Sequence, residues 1–118
     1  MGVAGATGAL TRYALSGLVQ KAAGGAFPWG TLVVNLAGCW FFGVFWAAAE
    51  SRVSLGGEVR AVVLVGFLGA FTTFSSYAFE TSQLLRDSQW AAAAGNVALQ
   101  NLAGISALFM GLFVGRLL

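Results

Sequence analysis

Four long apolar stretches alternate with short polar ones along this chain. A helix that crosses a bilayer needs about 20 apolar residues, and stretches of that size fall at about 2–22, 29–49, 59–85 and 90–115. Gly24-Gly25 and Pro28-Trp29 close the first connection, proline being suited to the start of a helix. Glu50, Arg52, Gly56, Gly57, Glu58 and Arg60 mark the second connection, and Arg86, Asp87 and Ser88 the third. Trp29, Trp46 and Trp90 lie near the ends, where interfacial aromatics gather, whereas Trp40 falls deeper and reads as a packing residue. The pattern predicts one all-α integral membrane domain over residues 1–118, with four transmembrane helices.

One segment departs from this pattern. Gly66-Phe67-Leu68-Gly69-Ala70-Phe71-Thr72-Thr73-Phe74-Ser75-Ser76-Tyr77 sets glycines, four hydroxyl side chains and a row of aromatics inside the third span. Irregular or polar backbone at bilayer depth persists only where it is buried in protein or lines a cavity. Each hydroxyl can bond back to its own helix. Four within five positions, next to Gly69, instead predict a third helix broken near its middle. A break frees carbonyls that can coordinate a hard cation. Oxygen ligands without a carboxylate suit a monovalent ion better than Ca²⁺ or Mg²⁺. If two chains meet here, the carbonyls of Gly69 and Thr72 from each close a four-oxygen site.

The neighbouring side chains point to the opposite charge. Phe71, Phe74 and Tyr77 recur every three residues, close together on a helix. They are either core packing or rings whose electropositive edges face a small anion. Asn35, inside the second apolar run, offers two N–H donors to a partly dehydrated anion, or an interhelical hydrogen bond. Asn96 and Gln100 are four apart on one face of span four, where they continue a polar track or pair with other helices. Glu80, three residues past Tyr77 and nearer the water, can shape a vestibule or pair with a cation. Arg12, near the middle of span one, either faces protein or water or snorkels to the interface.

Composition narrows the class. The chain is 58% hydrophobic and 8% charged, against about 25% charged in globular domains, which excludes a soluble fold. The net charge of +2, without blocks of like charge, gives no basis for a nucleic-acid partner. One cysteine and no histidine exclude an intrachain disulfide framework and multi-cysteine metal sites. No nucleophile–base pair, phosphate loop or redox site is visible, so enzymatic activity is not expected. With four spans, Arg52, Arg60 and Arg116 lie on one side and Lys21 and Arg86 on the other, Arg12 being embedded. So small a bias lets the chain insert either way up and permits an antiparallel dimer. Gly111 and Gly115 form a GxxxG, and Gly2, Gly5, Gly8, Gly38 and Gly43 add small positions that support assembly. Four short helices are too few to enclose a solute path, which also predicts an oligomer.

Gly5-Ala6-Thr7-Gly8-Ala9-Leu10-Thr11-Arg12-Tyr13, Gly30-Thr31-Leu32-Val33-Val34-Asn35-Leu36-Ala37-Gly38, and the run from Gly66 to Glu80 resemble the Fluc/CrcB family of fluoride channels in this order. The resemblance covers essentially the whole chain. It implies an antiparallel, dual-topology homodimer in a bacterial or archaeal plasma membrane, with two pores that export cytoplasmic fluoride passively. Phe74 matches the first pore aromatic, Tyr77 falls where a second phenylalanine is usual, and Asn35 matches the pore asparagine. Thr73 and Ser75, in the same polar run, are expected to line the fluoride pore with them. Gly69 and Thr72 match the main-chain oxygens that hold a structural Na⁺ at the dimer centre, and Arg12 and Glu80 match recurrent charged positions. The implied partners are fluoride, membrane lipid and a second copy of the chain. Two residues depart from the family pattern. Tyr77 adds a hydroxyl that either donates to fluoride or alters spacing, and Gln100 stands where a smaller hydroxyl residue is expected. A proton-coupled small multidrug exporter is the alternative, but it needs an embedded carboxylate that spans one, two and four lack. A non-transporting assembly subunit explains the glycines and leaves Asn35 and the hydroxyl run without a purpose.

Overall fold

The computed structural model of the chain describes residues 1–51 and 55–118, so Arg52 of the second connection lies outside the described residues. Every element among them is helical: α1 (Gly2–Ala23), α2 (Trp29–Ser51), α3 (57–71), α4 (Phe74–Arg86) and α5 (Trp90–Leu117). Glu50 lies in the last turn of α2, and Gly57, Glu58 and Arg60 form the first turn of α3. The helices therefore run past their apolar spans, because backbone hydrogen bonding continues into the interface. There the Arg60 guanidinium lies 5.7 Å from the centre of the Trp46 ring and donates to Ala49 O at 3.4 Å.

Among the described residues, three helices are long and apolar enough to cross a membrane: Trp29–Glu50, Gly57–Arg86 and Trp90–Leu117. The 22-residue α1 has the length but carries Thr7, Thr11, Arg12, Ser16, Gln20 and Lys21. It still joins the bundle. Gly8 lies so close to α3 that a Cβ there would meet Phe67 O at 2.3 Å, and Arg12 reaches Ala70 O. Residue numbers rise together along this contact, so α1 and α3 run parallel. By the same test α2 and α5 run parallel, Trp40 facing Gly111 and Val44 facing Gly115. A Cβ on Gly43, Gly111 or Gly115 would stand 2.1 to 2.5 Å from a backbone oxygen of the facing helix. The GxxxG expected to support assembly between chains thus seats α5 on α2 within one chain. Close approach needs small residues wherever two helices meet, and spacing alone does not name the partner helix.

Two connections are held by identifiable groups. Gln20 donates to Phe27 O at 3.0 Å and accepts from Gly30 N–H at 3.1 Å, so one carboxamide ties α1 to the start of α2. After α4, Gln89 N–H returns to Leu84 O at 2.8 Å and Ser88 N–H to Leu85 O at 3.1 Å, with Ser88 at φ 57°. That pair of bonds is a Schellman motif with serine in the left-handed position usually held by glycine. The core lies between α2 and α3, where Val34, Leu64, Leu68 and Phe71 are buried together.

Candidate functional site

The third span breaks at Thr72 and Thr73, both extended (φ −87°, ψ 159° and φ −150°, ψ 112°). Side chains set the break. The Asn35 amide takes both main-chain polar groups of Thr73, accepting from its N–H at 2.8 Å and donating Nδ2–H to its carbonyl at 3.0 Å. One turn along α2, Gly38 leaves room for Thr72, since a Cβ there would stand 2.1 Å from Thr72 Cγ2. Thr73 then caps α4, its Oγ1 accepting from Ser76 N–H at 3.2 Å and donating to Ser76 Oγ at 3.0 Å.

These contacts divert the donors of two particular carbonyls. In an unbroken helix Gly69 O would accept from Thr73 N–H and Thr72 O from Ser76 N–H. Here the first N–H goes to Asn35 Oδ1 and the second to Thr73 Oγ1. Ala70 O, between them, accepts from Arg12 Nε at 3.0 Å, so Arg12 faces the break. Neutral carbonyl oxygens with diverted donors fit a monovalent cation, although two from one chain do not complete a coordination shell. No cluster of three or more His, Cys, Asp or Glu able to hold a metal occurs among the described residues.

The break also sorts the aromatics. Phe71 stacks on Phe67 in the core, ring centres 5.9 Å apart and 10° from parallel. Phe74 instead meets Tyr77 edge to face at 5.4 Å and 73°. The spacing of three that joined Phe71 to them fails because the extended residues 72 and 73 turn the chain between them. Asn35, Gly69, Thr72, Thr73, Phe74 and Tyr77 line one cleft of about 480 Å³. Ser75 is not among its lining residues and contacts Thr73 Oγ1 at 3.4 Å. Glu80 lines a second cavity of about 290 Å³ and accepts a 2.5 Å hydrogen bond from the Thr31 hydroxyl, with no ion pair to it among the described residues.

α5 supplies the remaining polar wall. Asn96, fully buried, donates to Thr81 Oγ1 at 2.9 Å, and Gln100 Oε1 accepts from Asn35 Nδ2 at 3.0 Å. Both pair with other helices, and Gln100 Nε2 is buried without a hydrogen-bond partner among the described residues. Asn101, which the sequence pattern did not single out, donates to Tyr77 Oη at 3.3 Å. Gln100 and Asn101 lie in a π-helical turn, Leu99–Ala103. The wider turn lets adjacent residues reach α2 and α4, which α-helical spacing does not foretell.

The family profile described as CrcB-like protein, Camphor Resistance (CrcB), matches residues 1–112. The chain belongs to the CrcB family. A CrcB relative named fluoride-specific ion channel FluC, from Nitrosococcus oceani, is 54% identical over 98% of this chain and 93% of its own length. Proteins of the same name from Solidesulfovibrio magneticus and Nitratidesulfovibrio vulgaris are 52% and 50% identical, over 98% and 99% of this chain and 93% and 94% of their own lengths. These CrcB relatives are named as ion channels, and the family is not an enzymatic one. Family and apolar helices together make this a multi-pass membrane protein.

Proposed function

We propose that the protein is a fluoride channel through which cytoplasmic fluoride leaves a bacterial or archaeal cell passively across the plasma membrane. The observation that carries this reading is the broken third span, which places two helix ends of opposite polarity at one point inside an apolar bundle. The carbonyl end of α3 favours a cation and the N–H end of α4 an anion. Phe74 and Tyr77, on the first turn of α4, add ring edges of the sign an anion needs. The names of the relatives support fluoride as that anion.

In this reading the working unit is an antiparallel homodimer with two pores. Phe74 is 77% exposed in the single chain, so closure of its path calls for a second copy. The Gly69 and Thr72 carbonyls of both copies would hold a structural Na⁺, which supplies fixed positive charge at the two-fold axis. Asn35 and Thr73 line the anion path, Ser75 stands beside it, Arg12 secures the break from α1, and Glu80 shapes the vestibule.

Efflux from liposomes holding the purified protein tests the claim. Fluoride should leave and chloride should stay; equal flux of the two, or none, overturns it. Phe74→Ile removes the ring edge and should reduce fluoride flux by tenfold or more, on the order of one lost anion contact. A conducting Phe74→Ile variant would remove that ring from the mechanism.

A further inference from the structure

Tyr77 Oη lies 3.3 Å from Asn101 Nδ2, and that same nitrogen lies 2.8 Å from Val97 O. A carbonyl only accepts, so this end of the Asn101 carboxamide is its NH₂ group however the amide is drawn. One hydrogen goes to Val97 O and the other to Tyr77 Oη. The phenol oxygen is therefore an acceptor towards α5. Its single proton must point elsewhere, and no acceptor for it occurs among the described residues. Tyr77 and Asn101 both line the cleft that holds Phe74 and Asn35. Asn35 itself has both Nδ2 hydrogens engaged, one on Thr73 O and one on Gln100 Oε1.

We propose that Tyr77 donates its phenolic O–H to the permeating anion, with Asn101 as the positioning residue that holds the oxygen and directs the proton. This assignment rests on the fluoride-channel reading of the same cleft. Accepting from Asn101 polarises the phenol and strengthens its O–H as a donor. A small, strongly accepting halide gains most from a single fixed donor, so Tyr77 adds selectivity for fluoride over chloride beyond what a ring edge supplies. The hydroxyl is then a second contact for the ion rather than a change of spacing.

The chain has two tyrosines, and Tyr13 is 82% exposed on α1, so Tyr13→Phe leaves Tyr77 as the sole reporter. Tyrosine carrying ¹³C at Cζ is incorporated in that background, and the protein in lipid nanodiscs is titrated with sodium fluoride or sodium chloride at constant sodium. The Cζ resonance should shift saturably with fluoride and not with chloride. Tyr77→Phe keeps the ring and loses only the donor. It should raise the fluoride concentration for half-maximal liposome flux about tenfold, and Asn101→Leu should shift the Cζ titration in the same direction. Fluoride flux with a Cζ resonance that never moves, or with Tyr77→Phe indistinguishable from the parent, overturns the proposal and leaves the channel reading standing. A Cζ resonance that titrates with fluoride in a protein that passes none supports the donor and overturns the channel reading.

Discussion

Asn35 makes three hydrogen bonds: Thr73 N–H on its oxygen, Thr73 O and Gln100 Oε1 on its nitrogen. Asn35→Asp keeps an acceptor for Thr73 N–H but sets a charged oxygen against the other two. The expected loss is about 3 kcal/mol or more, from unmade bonds and an unpaired buried charge. It would be read as a lower thermal midpoint of the detergent-solubilised protein, together with loss of fluoride flux. Thr73→Val removes the α4 cap and should cost about 1 kcal/mol in the same measurement. The sequence shows Asn35 as a polar residue out of place in an apolar run. It does not show that the partner is the main chain of Thr73, because main-chain direction leaves no mark on the side-chain pattern. Asn101 escapes for a related reason: its role depends on a π turn.

The broken span is the element that the rest of the chain supports. Glycines and hydroxyls announced it, and Thr72 and Thr73 are where the helix stops. Its consequences for neighbouring residues were less legible, since Phe71 and Phe74 look equivalent in sequence yet go to core and cleft. The α2–α5 pair is the other rigid element. Gly111→Ala would press a methyl onto Trp40 O, 2.1 Å from an ideal Cβ, with backbone on the far side that cannot rotate away. It should destabilise the protein by roughly 1–3 kcal/mol. At the α4–α5 connection the sign is opposite. Ser88→Gly relieves a left-handed serine (φ 57°) and should stabilise by about 1 kcal/mol, seen as a higher thermal midpoint with unchanged flux.

At the scale of the molecule, the bundle extends 50 × 29 × 22 Å, long enough to pass through a hydrocarbon core of about 30 Å. The proposed dimer and central Na⁺ make a prediction at this scale. Exchange of all sodium for N-methyl-D-glucamine should dissociate or unfold the dimer, followed by size-exclusion chromatography with light scattering. A dimer that persists unchanged without sodium would remove the ion from an obligatory role.

The sequence by itself determined that the protein is helical and belongs in lipid. It also located the interruption of the third span, because hydrophobic period and polar intrusion are properties of the chain order. Only the tertiary structure decided which groups that interruption engages. The GxxxG faces α2, the Asn35 amide takes the main-chain N–H and C=O of Thr73, and Asn101 holds the phenol of Tyr77. Each of those pairs joins residues more than twenty positions apart. Their meeting depends on helix directions and on a local widening of α5, which no single stretch of sequence carries.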